Sequence, residues 1–526
     1  MNTLLHSAKQ KRYFVKTDLI INSWDDIKEY FINLESREIN STDALLTWWK
    51  DRSELEAVLA EEMAWRYIKM TCNTTDTTIA EHFNTFVASI EPEINSFSNI
   101  LNKKFIASPL LDTLDKNKYF VAIRSIKRGI EMFREENIPI QAEIQQEQQE
   151  YGLLSSQMTI EYQGKTLTLQ QASNYLKETD RDVRKTVFEL INQRRAQDND
   201  ALDTLLNKLI QKRNQIALNT GFSNYRDYKH EALGRFDYSV DDCLQFHEAI
   251  KTAVMPIINS LHKERKQALQ LDSLKPYDLE VDTDNKPPLI PFTTADDLID
   301  KSIACFTEIR NRFGKFLSIM KENNYLDLDS RIGKAPGGYN YPLYESNVPF
   351  IFMNASGNLR DVETMVHEGG HAIHSFLSKD LELVDFKGLT SEIAELASMS
   401  MELISMEHWH HFFSSAEELK RAKRSQLEGV IKVLPWVATI DKFQHWIYTN
   451  INHSNLERIA AWNTIIDEYS TSLVDWSEYQ TVKDYSWQKQ LHIYEVPFYY
   501  IEYAISQLGA IAVWRNYKQN PEKALY

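Results

Sequence analysis

The stretch "VETMVHEGGHAIHSFL", residues 362–377, decides the reading of this chain. Val362, Val366, Gly369, Ile373 and the Phe376/Leu377 pair recur with the period of one helical face, so the spacing predicts an amphipathic helix with that face buried. His367 and His371 lie one turn apart, about 40° from each other around the axis, and their imidazoles project to the same side. Glu368 flanks them. This is the HExxH arrangement, in which two neutral nitrogens hold a Zn²⁺ ion and the neighbouring carboxylate faces its open coordination position. The plain alternative is a surface helix that happens to carry histidines. Gly369 and Gly370 argue against it, because together they cost roughly 2 kcal/mol of helix propensity relative to alanine. Something must pass too close for a side chain, and a second ligand-bearing helix packed across that point would explain both.

Such an ion needs a third protein donor. The segment "LTSEIAELASMSMELISMEHW", 389–409, has helical character and carries Glu392, Glu395 and Glu402. Glu395 and Glu402 are seven apart and share a face, with Glu392 about one turn ahead. A carboxylate within the apolar "IAELASMSMEL" is costly unless a metal or donors compensate it. His374 shares the histidine face and suits a wall better than a ligand position. An extended pattern with a third histidine ten residues after His367 fails, because position 377 is leucine.

Composition bounds the rest. A chain of 526 residues with 43% hydrophobic and 25% charged content is an ordinary globular protein, large enough for several lobes. A net charge of −16 and the absence of a long basic block disfavour nucleic acid as a partner. No run is apolar enough to suggest a membrane span or a signal peptide, and Cys72, Cys243 and Cys305 are few and widely spaced, so the expectation is a cytoplasmic protein with no membrane partner. Helical periodicity dominates, as in "LDTLLNKLIQKRNQIAL", 202–218, which stops at Asn219-Thr220-Gly221. Alternation on either side of Gly164 in "MTIEYQGKTLTL", 158–169, predicts a short hairpin. Pro-rich "DTDNKPPLIPF", 282–292, reads as an extended connection. Soft boundaries near 150 and 290 give an N-terminal helical lobe, 1–150, a middle helical region with the hairpin, 151–290, and a zinc-binding region, 291–526. The histidines of "MEHWHHFF", His408, His410 and His411, read as the exposed end of a helix, with opportunistic metal binding as the lesser alternative.

"HEGGHAIHSF" followed by "SEIAELASMSME" resembles the oligoendopeptidase F family, within the thimet-oligopeptidase-like zinc metallopeptidases, whose pattern is HExGHxxH and then ExxSxxxE. The pattern falls on His367, Glu368, Gly370, His371 and His374, then on Glu395, Ser398 and Glu402. "GKAPGGY", 333–339, and "VPFIFMNASGNLRDVETMVHE" are similar to the family's approach to its zinc helix. The resemblance spans roughly 160–515. It implies His367, His371 and Glu395 as metal ligands, one Zn²⁺ per chain, and Glu402 as partner of a ligating imidazole.

The resemblance extends to "LHIYEVPFYYIEYAI", 491–505, where one His and four Tyr crowd together. Peptide hydrolysis builds negative charge on the carbonyl oxygen, which a tyrosine hydroxyl can stabilise. Family members place a His and paired Tyr opposite the zinc, which implies roles for His492, Tyr500 and Tyr503, with Tyr499 competing for either tyrosine position. Two departures stand out. Gly369 replaces a larger apolar residue of the family, which is expected to loosen the zinc helix, and the sequence ends at "NPEKALY", before the short helical segment of many relatives, which is expected to weaken support for the tyrosines.

The expected fold is therefore mainly α, a large multi-lobed helical metallopeptidase with a small β element near the zinc site and a deep substrate channel. The expected function is that of a zinc-dependent endopeptidase acting on internal bonds of short peptides, with Glu368 as general base and "APGGYNYPLYESNVPFIF", 335–352, offering an edge strand to the substrate. A monomer or weak homo-oligomer is expected. Two alternatives are a helical metallocarboxypeptidase and a zinc- or peptide-binding scaffold without turnover.

Overall fold

The computed structural model describes residues 11–525. The chain is mainly α-helical, as the periodicity predicts, and among the described residues its strands form only two small sheets. The 362–377 stretch lies inside one helix, Leu359–Ser378, called here the motif helix. Val362, Val366, Ile373 and Phe376 are buried, while Leu377 is 49% exposed and drops out of the predicted face. The helix starts where its sequence provides donors and acceptors for it. The Asp361 carboxylate accepts the N–H groups of Ser356, Gly357 and Asn358 at 2.8–2.9 Å, a capping box that also favours negative charge at the helix N-terminus.

The β element is where the alternation placed it, with a second sheet beside the motif helix. Strands β1 (Thr159–Tyr162) and β2 (Lys165–Thr168) form an antiparallel hairpin whose turn residues, Gln163 and Gly164, both have positive φ, as the tight two-residue turn requires. In the second sheet β3 (Leu326–Asp329) runs parallel to β5 (Phe350–Ala355), and β4 (Tyr339–Tyr341) pairs antiparallel to β5 on its other side, so β4 is an edge strand. Strand β5 is almost fully buried on both faces and leads directly into the motif helix. The helix predicted around 202–218 spans Asn199–Asn219. It ends in a Schellman arrangement, with Gly221 at φ +93° and Phe222 N–H donating to the Ala217 carbonyl at 2.9 Å.

The three largest apolar cores among the described residues hold the architecture. One lies in the N-terminal part, between Val15 and Ile126, built on Trp48, Trp49 and Phe105 and joined by Leu383. A second joins residues between Ile144 and Ile258 to residues between Leu434 and Ala504, so the chain returns late to complete a core begun early. The third surrounds the motif helix with Leu298, Phe306, Phe316, Met401 and Trp409. The motif helix packs on Ser391–Ser405, across which the C-terminal helix Ile501–Gln519 lies. No helix among the described residues is long and apolar enough to cross a membrane.

Candidate metal centre

The two adjacent glycines of the motif helix serve two different neighbours. A Cβ on Gly370 would lie 2.7 Å from the Ser398 Cα and 2.9 Å from the Met401 Cβ, so that position allows the helix carrying Glu395 to approach at backbone distance. A Cβ on Gly369 would instead lie 2.8 Å from the Phe306 ring, which comes from the helix Ala295–Ile309. The expectation of one helix crossing both glycines is corrected here. The space left by the missing side chain at 369 is filled by an aromatic ring, so the motif helix is not loosened at that point.

This close approach brings the predicted donors together. His367 Nε2 is 3.2 Å and His371 Nε2 3.7 Å from Glu395 Oε2, and the ligating atoms of all three lie within 4.8 Å of one another. Glu392 is not in that group; its carbonyl accepts the Ser506 hydroxyl at 2.8 Å. The far nitrogen of His367, Nδ1, meets Glu402 Oε1 at 2.7 Å, and Gln426 Nε2 donates to the other Glu402 oxygen at 2.9 Å. Glu402 thus turns the Nε2 lone pair of His367 toward Glu395. Burial pushes His371 down to about 4, which keeps its imidazole neutral and able to donate. Burial alone would raise the Glu395 carboxyl, but His371, His367 and the Tyr499 hydroxyl, which donates to Oε1 at 2.5 Å, bring it down to about 2. Two imidazole nitrogens and one carboxylate at this separation are a donor set for a zinc-type cation; burial opposes a proton on His367, but its contacts with Glu395 and Glu402 raise its proton affinity, so a bound cation would displace that proton.

Glu368 stands apart from these contacts. It is buried, its Oε2 has no hydrogen-bond partner, and burial pushes its carboxyl up to about 7. Its side chain lines a cavity of about 880 Å³ together with His367, His371, His374, Glu395, His492 and Tyr503. Gly337, Gly338, Tyr339 and Asn340 bring the edge strand β4 to the same cavity, and Tyr67 and Gln148 close it from earlier parts of the chain. The structure brings Tyr499 and Tyr503 to the cavity wall, whereas Tyr500 lies outside the lining, its ring 4.8 Å from that of His492. Phe498 sets this rotation: it has φ +64°, with its N–H held by Gln444 Oε1 at 2.8 Å and its carbonyl by the Arg235 guanidinium.

Sequence reasoning missed Gln490, which faces His492 Nδ1 at 2.7 Å and accepts from Trp436 Nε1 at 2.9 Å. It also missed a fully buried trio, His247, Asp441 and His445. The Asp441-to-His445 spacing was visible, but His247 arrives from a distant helix.

Residues 174–525 match the family model described as Peptidase family M3, and residues 14–133 match the one described as Peptidase M3 N-terminal domain. The chain belongs to peptidase family M3. Membership of this metallopeptidase family implies a bound metal. This M3 chain is 25% identical over 282 residues to Oligopeptidase PepF of Bacillus subtilis, an alignment covering 52% of this chain and 40% of that protein. It is 23% identical to an oligoendopeptidase F homolog of Borreliella burgdorferi, over 67% of this chain and 59% of that protein. The chain therefore spans less than two thirds of the length of these relatives. Among solved structures, one described as an oligoendopeptidase F superposes with a TM-score of 0.92 at 24% identity, covering 99% of this chain and 91% of that one. Pz peptidase A with an inhibitor gives 0.90 at 25% identity, covering 95% and 89%. The mainly helical, multi-lobed fold expected from the sequence is the fold of these proteins.

Proposed function

We propose that this chain is a zinc-dependent endopeptidase that cleaves short peptides inside the 880 Å³ cavity. The observation that carries the reading is an unpartnered buried carboxylate, Glu368, beside a converging His–His–Glu donor set at the wall of that cavity. His367, His371 and Glu395 would hold the ion, which when bound polarises the scissile carbonyl and acidifies water. Glu368, with its proton affinity raised toward neutrality by burial, takes the proton of the attacking water and passes it to the departing amine. The edge strand β4 offers its free side to an extended peptide, and the Asn340 side-chain amide, whose Nδ2 is buried and without a partner, adds a donor beside it.

The tyrosine hydroxyl comes ready oriented. Trp436 Nε1 can only donate, so the Gln490 atom facing it is the carbonyl oxygen and the one facing His492 Nδ1 is the NH₂ group. His492 Nδ1 therefore accepts, its proton sits on Nε2, and Nε2–H donates to the Tyr503 oxygen at 3.1 Å. Burial keeps His492 neutral by pushing it down to about 4. Tyr503 is left with its own hydroxyl hydrogen to donate into the cavity, where the developing oxyanion would accept it. The reading gives Glu368 the base role, His492 and Tyr503 the oxyanion side, and Tyr499, which touches Glu395, the place next to them. Tyr500 packs behind.

Short peptides are the substrates this reading supports, because the donor set lies on the wall of a cavity lined by segments from early and late in the chain. A cytoplasmic location accords with the unpaired cysteines Cys72, Cys243 and Cys305, and the reading keeps the chain a monomer or weak homo-oligomer. The test is cleavage of a panel of short peptides, with free and with amidated C-termini, before and after chelator treatment. Internal cleavage of the amidated peptides, abolished by chelator and restored by zinc, is the expected result. Cleavage restricted to free C-termini would select the carboxypeptidase, and metal binding without cleavage of any peptide would select the scaffold.

A further inference from the structure

Outside the cavity, the structure gathers a second set of transition-metal donors that the sequence left as an exposed helix end. The helix Ser391–Ser405 continues into a short 3₁₀ helix, Met406–His411. Trp409 is its anchor, fully buried in the core around the motif helix, with Nε1 donating to Ser405 Oγ at 3.3 Å. With Trp409 fixed inward, His408, His410 and His411 all turn toward one residue, Glu308, on the separate helix Ala295–Ile309. His411 Nε2 is 2.7 Å and His410 Nε2 3.0 Å from Glu308 Oε2, and the three ligating atoms lie within 4.8 Å of one another.

The fourth group behaves as a held ligand. His408 Nδ1 is buried and makes no hydrogen bond, yet it sits 3.3 Å from Glu308 Oε1. Its other nitrogen, Nε2, is fixed at 3.0 Å by the hydroxyl of the buried Tyr517. A ligating imidazole is typically oriented in this way, with one ring nitrogen tied to an oxygen and the other presented to the ion. Glu308, His410 and His411 already converge, and His408, which meets the other Glu308 oxygen and lies outside that convergent group, would complete with them the ligand types and number of a closed tetrahedral zinc site, whose donors nickel and copper also take.

We propose that Glu308, His408, His410 and His411 form a second site for a divalent zinc-class cation, structural rather than catalytic. Its place in the fold gives it a consequence. Glu308 shares a helix with Phe306, the ring seated at Gly369, and the three histidines extend the helix that carries Glu395 and Glu402. An ion here staples together the two elements against which the motif helix packs, from the side away from the cavity.

The test is metal stoichiometry on the full chain, stripped with chelator, reloaded with micromolar Zn²⁺ and freed of excess by gel filtration. The expected result is about two ions per chain, with a Zn²⁺-dependent rise in melting temperature. The His410→Ala/His411→Ala double variant and, independently, Glu308→Gln should each bind about one ion. Each should keep wild-type kcat on a short peptide and lose part of the Zn²⁺-dependent melting shift. His371→Ala should lose activity and retain the second ion. Co²⁺ loading of that variant should give the visible absorption of a four-coordinate site, a readout that does not depend on turnover. A wild-type chain that holds only one ion, variants that still hold two, or a second ion taken up only at millimolar zinc would overturn the proposal. The peptidase reading fails separately: an inactive chain that holds two ions would sink that reading and leave this one intact.

Discussion

Two trios in this molecule share donor types and helical spacing; one lines the large cavity and the other is buried away from it. His367 and His371 are four residues apart on the motif helix and receive Glu395 from another helix. Asp441 and His445 are four apart on the long helix Ala416–Thr449 and receive His247 from another. In the second trio both imidazoles meet a single oxygen, Asp441 Oδ2, at 2.8 and 3.1 Å, at exposures of 0–7%. Burial opposes ionisation of Asp441, yet His445 and His247 hold its carboxyl below the ordinary range. The His445 ring packs on Phe498, and none of the three residues reaches the large cavity. One-turn spacing is enough to assemble donors; an adjoining space and an uncommitted carboxylate beside them are what allow chemistry.

The sharpest way to break this comparison is to remove one carboxylate from each region. Glu368→Gln is expected to lower kcat by roughly a thousandfold or more while leaving metal content and fold intact. Asp441→Asn is expected to do the opposite, costing about 2–4 kcal/mol of stability in denaturant unfolding with little change in kcat per folded molecule. If Asp441→Asn abolished turnover in a folded protein, the distinction between the regions would be lost.

The glycine pair sharpens the packing side of the same account. Gly370→Ala places a methyl against the Ser398 backbone, which cannot yield without parting the two helices that carry the donors. A loss of about 2–3 kcal/mol with weakened metal binding is expected. Gly369→Ala meets only the edge of the Phe306 ring, which can tilt, and should cost about 1 kcal/mol with metal affinity unchanged. Equal effects at both positions would contradict the assignment of separate neighbours.

Gln490→Glu tests the proton order on the cavity side. A carboxylate facing His492 Nδ1 calls for a proton there, so Nε2 becomes the acceptor and Tyr503 turns its hydrogen away from the cavity. A tenfold to hundredfold loss in kcat with little change in KM is expected, about 1–3 kcal/mol of transition-state stabilisation. An unchanged kcat would remove Tyr503 hydroxyl orientation from the mechanism.

An effect of pH on stability, with none on kcat, belongs beside the second trio. Burial pushes His230 down to about 4 from an ordinary 6.5, so the unfolded chain binds a proton there that the folded chain refuses. Stability is then full above pH 6.5 and falls as the pH drops toward 4, by about 1 kcal/mol per unit at its steepest. His230→Phe should flatten that part of the stability profile without altering kcat at neutral pH. A profile equally steep in the variant would assign the acid loss elsewhere.

How much of this was legible in the sequence depended on whether the cause was local. The motif helix, the hairpin turn at Gln163–Gly164 and the end of the 199–219 helix follow from periodicity and from glycines at 164 and 221, where φ is positive, all encoded within a few positions. The approach of a second helix at Gly370 was legible because two glycines in a helix need a reason. Phe306 was not, since the ring that fills the space at Gly369 comes from a helix far upstream with no local mark of its partner. The choice between Tyr499 and Tyr500 was equally hidden. It turns on the left-handed Phe498, held in place by Gln444 and Arg235, which are distant in sequence. Glu308 was invisible for the same reason, although its three histidine partners were plain.

The most direct measurement of the central claim is anomalous diffraction at the zinc edge from crystals of the active, metal-loaded protein. The account predicts a peak about 2.1 Å from His367 Nε2, His371 Nε2 and a Glu395 oxygen, with Glu368 next to it on the cavity side. Density at the His247–Asp441–His445 trio with none at 367, 371 and 395, in crystals of protein that still cleaves peptides, would contradict it.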